Sequence, residues 1–301
     1  MNPNPSPPSI HRSGYIGIIG KPNVGKSTLL NYLLGQKLAI VSDKPQTTRT
    51  RILGVISSQN YQLIFIDTPG IHVPKDQLHA FMQSQIAETV EEVDILLFLV
   101  SAESGIDDED RLALQVIEKQ NKPVVIAVNK IDINKTNAEK VRQELLSLYP
   151  FRDQQLISAL NGTGCNELVT KLITLLPEGP QYYPEDTLTD RNERFIISEL
   201  VREQVLKLTQ QEIPYSVAVI TEEVKERSAA LTYVKAVIYV ERDSQKKIII
   251  GSQGKKLKEI GLTTRKEVEQ LLQKKVYLDL WVKVKKNWRK DRTALQQLGL
   301  K

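Results

Sequence analysis

The run of residues that decides the fold is Gly20-Lys21-Pro22-Asn23-Val24-Gly25-Lys26-Ser27. It matches the pattern G-x-x-x-x-G-K-[ST], in which glycines let the backbone curl so that its N–H groups surround a polyphosphate. An apolar segment, Tyr15–Ile19, precedes the run and a helical pattern, Thr28–Leu34, follows it. We therefore predict a phosphate-binding loop in which the Lys26 ammonium lies between the terminal phosphates and the Ser27 hydroxyl ligates Mg²⁺. The alternative is a tight strand-to-helix turn that binds no ligand.

A second motif, Asn129-Lys130-Ile131-Asp132, follows directly on the apolar segment Pro123–Val128. Residues at the carboxyl end of a buried strand face the ligand crevice of an α/β sheet. The Asp132 carboxylate can accept two hydrogen bonds there from the N1–H and the amino group of guanine, whereas adenine offers no such pair. Because hydrogen bonds to charged groups contribute about 1.5–3 kcal/mol each, the motif predicts GTP rather than ATP. Its alternative reading is a helix-capping aspartate.

Two shorter motifs complete the predicted nucleotide site. Asp67-Thr68-Pro69-Gly70 follows the apolar strand Leu63–Ile66, which is where an aspartate that anchors Mg²⁺ is expected. Gly70 can present its N–H to a γ-phosphate, so that the residues after it respond to the nucleotide. The run Ser158-Ala159-Leu160 can offer a backbone N–H to the guanine oxygen. The predicted GTP-binding residues are Gly20, Lys21, Pro22, Asn23, Val24, Gly25, Lys26, Ser27, Thr28, Asp67, Thr68, Pro69, Gly70, Ile71, Asn129, Lys130, Asp132, Ser158, Ala159 and Leu160.

Apolar segments alternate with helical patterns up to residue 177. Strands that are apolar on both faces and separated by helices predict a mostly parallel sheet with helices on both faces. The segments Ile52–Ser57 and Tyr61–Ile66 add a hairpin and one antiparallel neighbour. The predicted fold class is an α/β P-loop GTPase domain followed by a small α+β domain. We predict a disordered tail over residues 1–12, the first domain over 13–177, an interdomain linker over 178–190 and the second domain over 191–301.

The second domain has a pattern of its own. Its predicted elements are a helix over Arg194–Leu208, strands over Tyr215–Thr221 and Leu231–Glu241, a glycine-flanked turn over Lys246–Gly251, a helix to about Gln273, and a strand over Val276–Val284. In the last strand we expect Trp281 to pack in the core. Trp288 follows in a basic helix and suits either the core or base stacking.

Charge is distributed unevenly along the chain, which has a net charge of +5. Residues 1–180 hold 17 basic and 19 acidic residues, whereas residues 181–301 hold 24 and 17. The segment Lys246–Arg292 alone holds 15 basic and 5 acidic residues. This concentration of positive charge indicates contact with a polyanion. The alternative is a solvated basic face without a partner.

The basic segment contains the run Ile250-Gly251-Ser252-Gln253-Gly254-Lys255. It fits the GXXG loop with which KH domains clamp about four backbone nucleotides of a single strand. Predicted strands precede the loop and lysines follow it, although a structural turn in a basic domain would give the same run. The predicted RNA-binding residues are Ile250, Gly251, Ser252, Gln253, Gly254, Lys255, Lys256 and Lys258.

The order of these motifs resembles that of the translation-factor-related GTPases. The GXXG run, together with Leu280-Trp281-Val282-Lys283-Val284-Lys285, Trp288 and Leu298-Gly299-Leu300, resembles the Era family of bacterial ribosome-assembly GTPases, which end in a type II KH domain. The resemblance extends over nearly the whole chain from about residue 13. It implies a GTP-hydrolysing factor that binds the single-stranded 3′ region of 16S rRNA and assists assembly of the 30S subunit. We expect a monomer.

By the same resemblance, Gln46-Thr47-Thr48-Arg49 is the first switch. Thr48, with Thr47 as the alternative, then completes the Mg²⁺ shell with Ser27 and with Asp67, which acts through water. The other reading is that the two threonines only stabilise a loop.

The residue after Gly70 is Ile71, where many GTPases have a glutamine that orients the attacking water. A hydrophobic side chain cannot do this, so we expect slow intrinsic turnover. The resemblance also implies that Asn23 helps to hold a K⁺ ion, which makes K⁺ a second expected cofactor beside Mg²⁺.

Composition excludes a protein held together by internal disulfides and an integral membrane protein. The single cysteine, Cys165, cannot form an internal disulfide, and no apolar run approaches the ~20 residues of a membrane span. We expect a cytoplasmic protein with peripheral contact at the cell membrane. The alternative function is a GTPase switch that docks on membranes or protein partners through its basic domain, and such docking would not need the GXXG loop.

Overall fold

The computed structural model describes residues 11–44, 46–210 and 212–300. The predicted tail falls mainly on residues 1–10, which lie outside the described part, and the first strand begins at Arg12. The chain divides into two compact units. The first unit comprises the described residues up to Lys37 together with Arg51–Ile71 and Ile86–Asp190, and the second comprises Leu38–Thr50, His72–Gln85 and the residues from Arg191 onward.

The first unit is built on a six-stranded sheet. Its elements are β1 (Arg12–Ile19), α1 (Lys26–Leu34), β2 (Ile52–Ser58), β3 (Tyr61–Asp67), α2 (Gln77–Glu92, whose residues up to Gln85 group with the second unit), β4 (Ile95–Ser101), α3 (Asp108–Glu118), β5 (Val124–Asn129), α4 (Lys135–Leu148), β6 (Asp153–Leu156) and α5 (Cys165–Leu175). The strand order is β2-β3-β1-β4-β5-β6, and β2 is antiparallel to β3 while the other pairs are parallel. This confirms the predicted sheet and hairpin.

Burial on both faces explains why these strands form the centre of the unit. All seven residues of β4 are buried, and so are all six of β5. Apolar side chains on both faces require helices on both sides, as in α/β proteins. The register pairs Ile18 with Asp67 and Ser101 with Asn129, so the polar residues that end these strands meet at one edge of the sheet.

Residues 178–190, the predicted linker, are hydrogen-bonded to the first unit. The Ser13 hydroxyl donates to the Pro180 carbonyl at 2.6 Å, and the Val55 amide donates to the Leu188 carbonyl at 2.9 Å. The Gln62 amide group donates to the Tyr183 carbonyl at 2.8 Å. The chain therefore follows the first unit as far as Asp190.

The second unit contains a three-stranded sheet. Its elements from residue 191 onward are α6 (Glu193–Leu208), α7 (Ile213–Ser216), β7 (Ala218–Ser228), β8 (Leu231–Val240), α8 (Asp243–Ile250), α9 (Lys255–Leu272), β9 (Lys275–Val284) and α10 (Arg292–Gln297). Strand β7 is antiparallel to β8, and β8 is parallel to β9. The core on the helix-covered face includes Val205, Ile238, Ile249, Ile260 and Val282.

Two local predictions in this unit are wrong. The segment Lys246–Gly251 is not a turn, because its residues up to Ile250 belong to α8. Gln245 and Ile249 are buried one helical turn apart. The sequence did not show this spacing clearly, because Ile248–Ile250 is a continuous apolar run. Trp281 is not in the core either: alternation along β9 buries Val282 and leaves Trp281 53% exposed.

The fully buried tryptophan is Trp288. Its indole N–H donates to the Ser216 carbonyl at 3.1 Å, and it packs in a cluster with Ala218, Leu295 and Leu298. This cluster covers one end of the sheet face opposite the helices α6, α8 and α9.

We predict that Ile238→Ala destabilises the second unit by about 2–5 kcal/mol, the range for large-to-alanine changes in a core. Ile238 is fully buried in β8, so the change removes packed methyl groups and leaves a cavity. Urea unfolding followed by tryptophan fluorescence measures this, because both tryptophans lie in the second unit. Ile248→Ala is the matched control: that side chain is 43% exposed and should change stability by no more than about 0.5 kcal/mol. Equal shifts for the two variants would contradict this view of the core.

Candidate nucleotide and RNA sites

The phosphate loop connects β1 to α1 at the carboxyl-terminal ends of the parallel strands. Glycine is required at two of its positions: a Cβ on Gly20 would lie 2.3 Å from the Leu99 carbonyl oxygen, and one on Gly25 would lie 2.3 Å from the Asn129 side-chain nitrogen. Gly25 also has a φ of 100°, which L side chains rarely adopt. The loop is therefore fitted closely against the ends of β4 and β5.

The Lys26 ammonium is buried inside this loop. It donates to the carbonyl oxygens of Gly20 at 2.9 Å and Lys21 at 2.8 Å. Burial lowers the pKa of Lys26 to about 8, and the nearby negative charge of Asp67 opposes this shift. Desolvation disfavours the charged form of a lysine, and a nearby anion favours it, so an anion bound at the loop would raise the pKa of Lys26 again.

Ser27 and Asp67 form a candidate Mg²⁺ site. The Ser27 hydroxyl donates to Asp67 Oδ2 at 2.7 Å, and Asp67 is fully buried at the end of β3. A hydroxyl and a carboxylate are the hard oxygen ligands that Mg²⁺ prefers. The residues present therefore fit this ion.

Lys21 is predicted to bind nucleotide, yet its side chain is engaged elsewhere. Its ammonium lies 2.6 Å from an Asp107 carboxylate oxygen and 2.7 Å from one of Asp110, at the start of α3. These carboxylates raise the pKa of Lys21 although burial alone would lower it. Only the backbone of Lys21 is left to contribute to a phosphate site, while its side chain fixes the loop to α3.

The segment after β3 lies against the phosphate loop. The Thr68 hydroxyl donates to the Ile18 carbonyl at 2.7 Å, and the Ile71 amide donates to the Gly20 carbonyl at 3.3 Å. A Cβ on Gly70 would lie 2.6 Å from the Pro22 nitrogen, so only glycine allows this close approach. The Ile71 side chain is buried in the core of the unit and cannot orient water.

Asn129 joins three of the predicted motifs. Its amide nitrogen donates to the Val24 carbonyl at 2.8 Å, and its Oδ1 accepts from the Ala159 amide at 2.8 Å. Asn129 is buried, whereas Asp132 is exposed and Leu160 is 77% exposed. Asn129 thus holds the loops together, a role that spacing alone did not reveal, and the predicted base contact of Asp132 stays a prediction.

The two switch threonines belong to the second unit. The Thr47 hydroxyl donates to the Lys44 carbonyl at 2.6 Å, and the Thr47 carbonyl accepts from the Arg202 guanidinium of α6. Thr48, the next residue along the chain, is also buried. The neighbouring Arg49 donates to the carbonyls of Val217 at 2.5 Å, Pro214 at 3.1 Å and Tyr215 at 3.2 Å.

Arg202 was not identified from the sequence, and Arg49 was named only as the last residue of the predicted first switch. Burial, and then the like charge of Arg202, lower the pKa of Arg49 to about 9. Its guanidinium also lies 5.7 Å from the Trp288 ring centroid. No local motif indicates these contacts, because the partners of both arginines include backbone carbonyls that are distant in sequence.

The GXXG run forms a tight corner between two helices of the second unit. Ser252–Gly254 is a short 3₁₀ turn between α8 and α9, and Gly251, Gln253 and Gly254 have φ values of 71°, 52° and 74°. A Cβ on Gly254 would meet nothing within 4 Å. The corner is thus open on its outer side, and the helix that follows it begins at Lys255 with lysines in its first turn.

A cavity of about 420 Å³ adjoins this corner. It lies between α9 and the edge strand β9 and is lined by Gly254, Leu257, Lys258, Gly261, Leu262, Arg265, Tyr277, Leu278 and Leu280. Apolar walls with basic groups at the rim suit a nucleobase whose phosphate lies outside. The structure therefore brings the loop and a groove together.

Other chemistry finds little support within the described residues. They contain no group of three or more His, Cys, Asp or Glu side chains that could hold a metal ion. None of the helices found there is long and apolar enough to cross a bilayer. Cys165 is buried, and burial raises the pKa of its thiol to about 11.

Comparison with known proteins identifies both units. Residues 15–130 match the family model described as 50S ribosome-binding GTPase, and residues 212–289 match the KH domain model. GTPase Era of Carboxydothermus hydrogenoformans is 50% identical over 96% of this chain and 98% of its own length. GTPase Era of Geotalea uraniireducens is 46% identical over 96% of this chain and 97% of its own length.

Solved structures agree with these matches. The crystal structure of Era in complex with MgGDPNP and nucleotides 1506–1542 of 16S ribosomal RNA has a TM-score of 0.93 at 42% identity. It covers 96% of this chain and 99% of its own chain. With both domains matched and the identity extending over nearly its whole length, this chain belongs to the Era family of GTPases.

Proposed function

We propose that this GTPase binds the single-stranded 3′ region of 16S rRNA through its KH domain and assists assembly of the 30S subunit. The observation that carries the proposal is the open Gly251–Gly254 corner beside the groove of about 420 Å³, in a chain whose other unit holds the GTPase site. Its support is the related Era structure that contains MgGDPNP and nucleotides 1506–1542 of 16S rRNA.

In the proposed GTP complex each part of the first unit has one task. Backbone N–H groups of residues 20–28, apart from Pro22, which has none, and the Lys26 ammonium bind the phosphates. Asp132 accepts hydrogen bonds from the guanine edge, and the backbone of Ser158–Leu160 lies near the guanine oxygen. Ser27 ligates Mg²⁺ directly and Asp67 does so through water. The bound Mg²⁺ neutralises charge on the β- and γ-phosphate oxygens.

Hydrolysis in this proposal depends on groups other than a glutamine side chain. Ile71 is buried in the core, so backbone N–H groups such as that of Gly70 must orient the water and the γ-phosphate. Asn23 is exposed at the start of the loop with a φ of 63°. Its side-chain oxygen is the proposed ligand of K⁺, which would add positive charge beside the phosphates.

The RNA site in this proposal is the GXXG corner with its groove. Ile250 to Lys255 hold the phosphodiester backbone, Lys256 and Lys258 add positive charge, and bases enter between α9 and β9. Docking on an anionic membrane, the alternative function, would use the same lysines without needing a close backbone approach at Gly254.

We predict that Asp132→Ala lowers affinity for GDP about a hundredfold, because two hydrogen bonds to a carboxylate are lost. The sharper readout is the GDP to IDP ratio, since inosine lacks the exocyclic amine. The unmodified protein should prefer GDP about tenfold, a difference of ~1.4 kcal/mol, and the variant should bind both equally. Asp186→Ala removes an equally exposed carboxylate and should leave the ratio unchanged. A variant that still prefers GDP would contradict the assignment of Asp132.

We predict that K⁺ raises the GTPase rate about tenfold over Na⁺ at equal ionic strength, which is ~1.4 kcal/mol of transition-state stabilisation. Asn23→Gly should abolish the difference, because glycine keeps the left-handed backbone and removes the side-chain oxygen. Steady-state phosphate release in the two chloride salts measures this. Equal rates in both salts for the unmodified protein would refute the K⁺ site.

We predict that Gly254→Asp raises the Kd for a 3′-end 16S rRNA oligonucleotide by about tenfold or more, ~1.4 kcal/mol, and leaves GDP affinity unchanged. The added carboxylate repels phosphate, while the space around Gly254 avoids a clash within the fold. Gly299→Asp is the matched control, since Gly299 has a φ of 78° and the same open surroundings. Fluorescence anisotropy gives both constants. Unchanged RNA affinity would show that the corner is not a clamp.

A further inference from the structure

The sheet of the second unit has an outer face, opposite α6, α8 and α9, that is covered at one end and open at the other. Trp288, Leu295 and Leu298 cover the end near Ala218. The open end carries a cluster of side chains that we call the aromatic patch. It consists of Arg227, Tyr233, Tyr277, Asp279 and Trp281.

The side chains of the aromatic patch are held in a defined arrangement. The rings of Tyr233 and Tyr277 are stacked, with centroids 6.0 Å apart and planes inclined by 19°. The Arg227 guanidinium lies 4.4 Å from the first ring centroid and 5.7 Å from the second. A single carboxylate, that of Asp279, accepts from both the Tyr233 hydroxyl and the Trp281 indole N–H at 3.0 Å.

These contacts satisfy the Tyr233 hydroxyl and the Trp281 indole N–H, while two of the rings stay largely exposed. Tyr277 is 57% exposed and Trp281 is 53% exposed. Exposed large apolar groups are informative where they cluster, because folding alone would favour burying them. Rings that are held by neighbouring side chains and remain more than half exposed are suited to stacking.

The aromatic patch is continuous with the groove beside the GXXG corner. Tyr277 lines that groove together with Gly254 and also stacks on Tyr233 across the sheet. Strand β9, which carries Tyr277 and Trp281, is one of the two edge strands of this sheet. The two residues are four positions apart on one face, or about 13 Å at the usual strand rise, which leaves room for more than one base.

Basic side chains flank the aromatic patch, each beside a carboxylate. Lys275 and Lys283 lie on the same face of β9, their side chains are 80% and 50% exposed, and Lys275 lies 3.6 Å from a Glu269 carboxylate oxygen. Glu222 lies between Lys283, at 3.5 Å, and Lys235, at 2.8 Å, so one carboxylate faces two lysines. Phosphates on either side of a stacked base would meet these ammonium groups.

We propose that the aromatic patch is a second RNA subsite, at which a single strand leaving the groove turns around β9 and stacks bases on Tyr277 and Trp281. This rests on the proposed RNA-binding function and adds a site to it. Stacking on aromatic side chains tolerates any base, so the subsite extends the bound length of RNA without reading its sequence.

Affinity for RNAs of two lengths tests the subsite. The core probe is a short oligonucleotide from the 3′ end of 16S rRNA that fills the groove, and the long probes carry six added uridines at either the 5′ or the 3′ end. We expect one of the two extensions to tighten binding about fivefold or more. Trp281→Ala should remove that gain and leave affinity for the core probe within about twofold, whereas Trp281→Phe should keep much of it.

The control variant is Tyr182→Ala, which removes an exposed aromatic ring from the first unit. It should bind all probes as the unmodified protein does. Thermal melting of each variant checks that the second unit remains folded.

Fluorescence gives an independent measurement, because the chain has two tryptophans and Trp288 is fully buried. In a Trp288→Phe background the emission comes from Trp281 alone. The favoured long probe should quench that emission and protect it from acrylamide, and the core probe should do neither.

The outcomes separate the two proposals. If the unmodified protein fails to bind the core probe, the proposed RNA function fails and the subsite fails with it. If the core probe binds and Gly254→Asp abolishes binding, the function stands. The subsite is then overturned by long probes that bind Trp281→Ala as tightly as the unmodified protein, or by unquenched Trp281 emission in the complex.

Discussion

The nucleotide site is organised around one buried cation. The Lys26 ammonium lies among carbonyl oxygens of its own loop, and burial lowers its pKa to about 8. A buried charge destabilises a fold unless polar groups surround it, so the backbone of the loop must keep the curled path that points those carbonyls inward. That path in turn requires glycine at Gly20 and Gly25, where any side chain would collide with Leu99 or Asn129.

The same requirement connects motifs that are distant in sequence. Asn129 holds both the phosphate loop and the Ala159 backbone, and Asp67 approaches through the Ser27 hydroxyl. These contacts are available because parallel strands end at one edge of the sheet. The geometry that surrounds the buried Lys26 ammonium with oxygen atoms therefore also brings together the residues that we propose to contact the base and Mg²⁺.

Much of the nucleotide site could be predicted from the sequence, whereas the side-chain contacts that hold its loops in place could not. The phosphate loop and the ends of β3 and β5 follow from local patterns, since short motifs and apolar runs encode them. The roles of Lys21 and Asn129 depend on partners about a hundred residues away. The contacts of Arg49 and Arg202 could not be predicted for the same reason. Thr48 as a Mg²⁺ ligand stays a prediction, although the Thr47 carbonyl beside it accepts from Arg202.

The two tryptophans show where pattern reasoning fails in the second unit. Alternation places Trp281 and Val282 on opposite faces of β9, but the pattern does not say which face is covered, and both residues are apolar. The answer comes from tertiary packing: helices cover the face of Val282, and the segment around Trp288 covers only part of the other face. Asp279 then fixes the indole edge at the uncovered end. The half-exposed indole is therefore available for the base stacking that we propose.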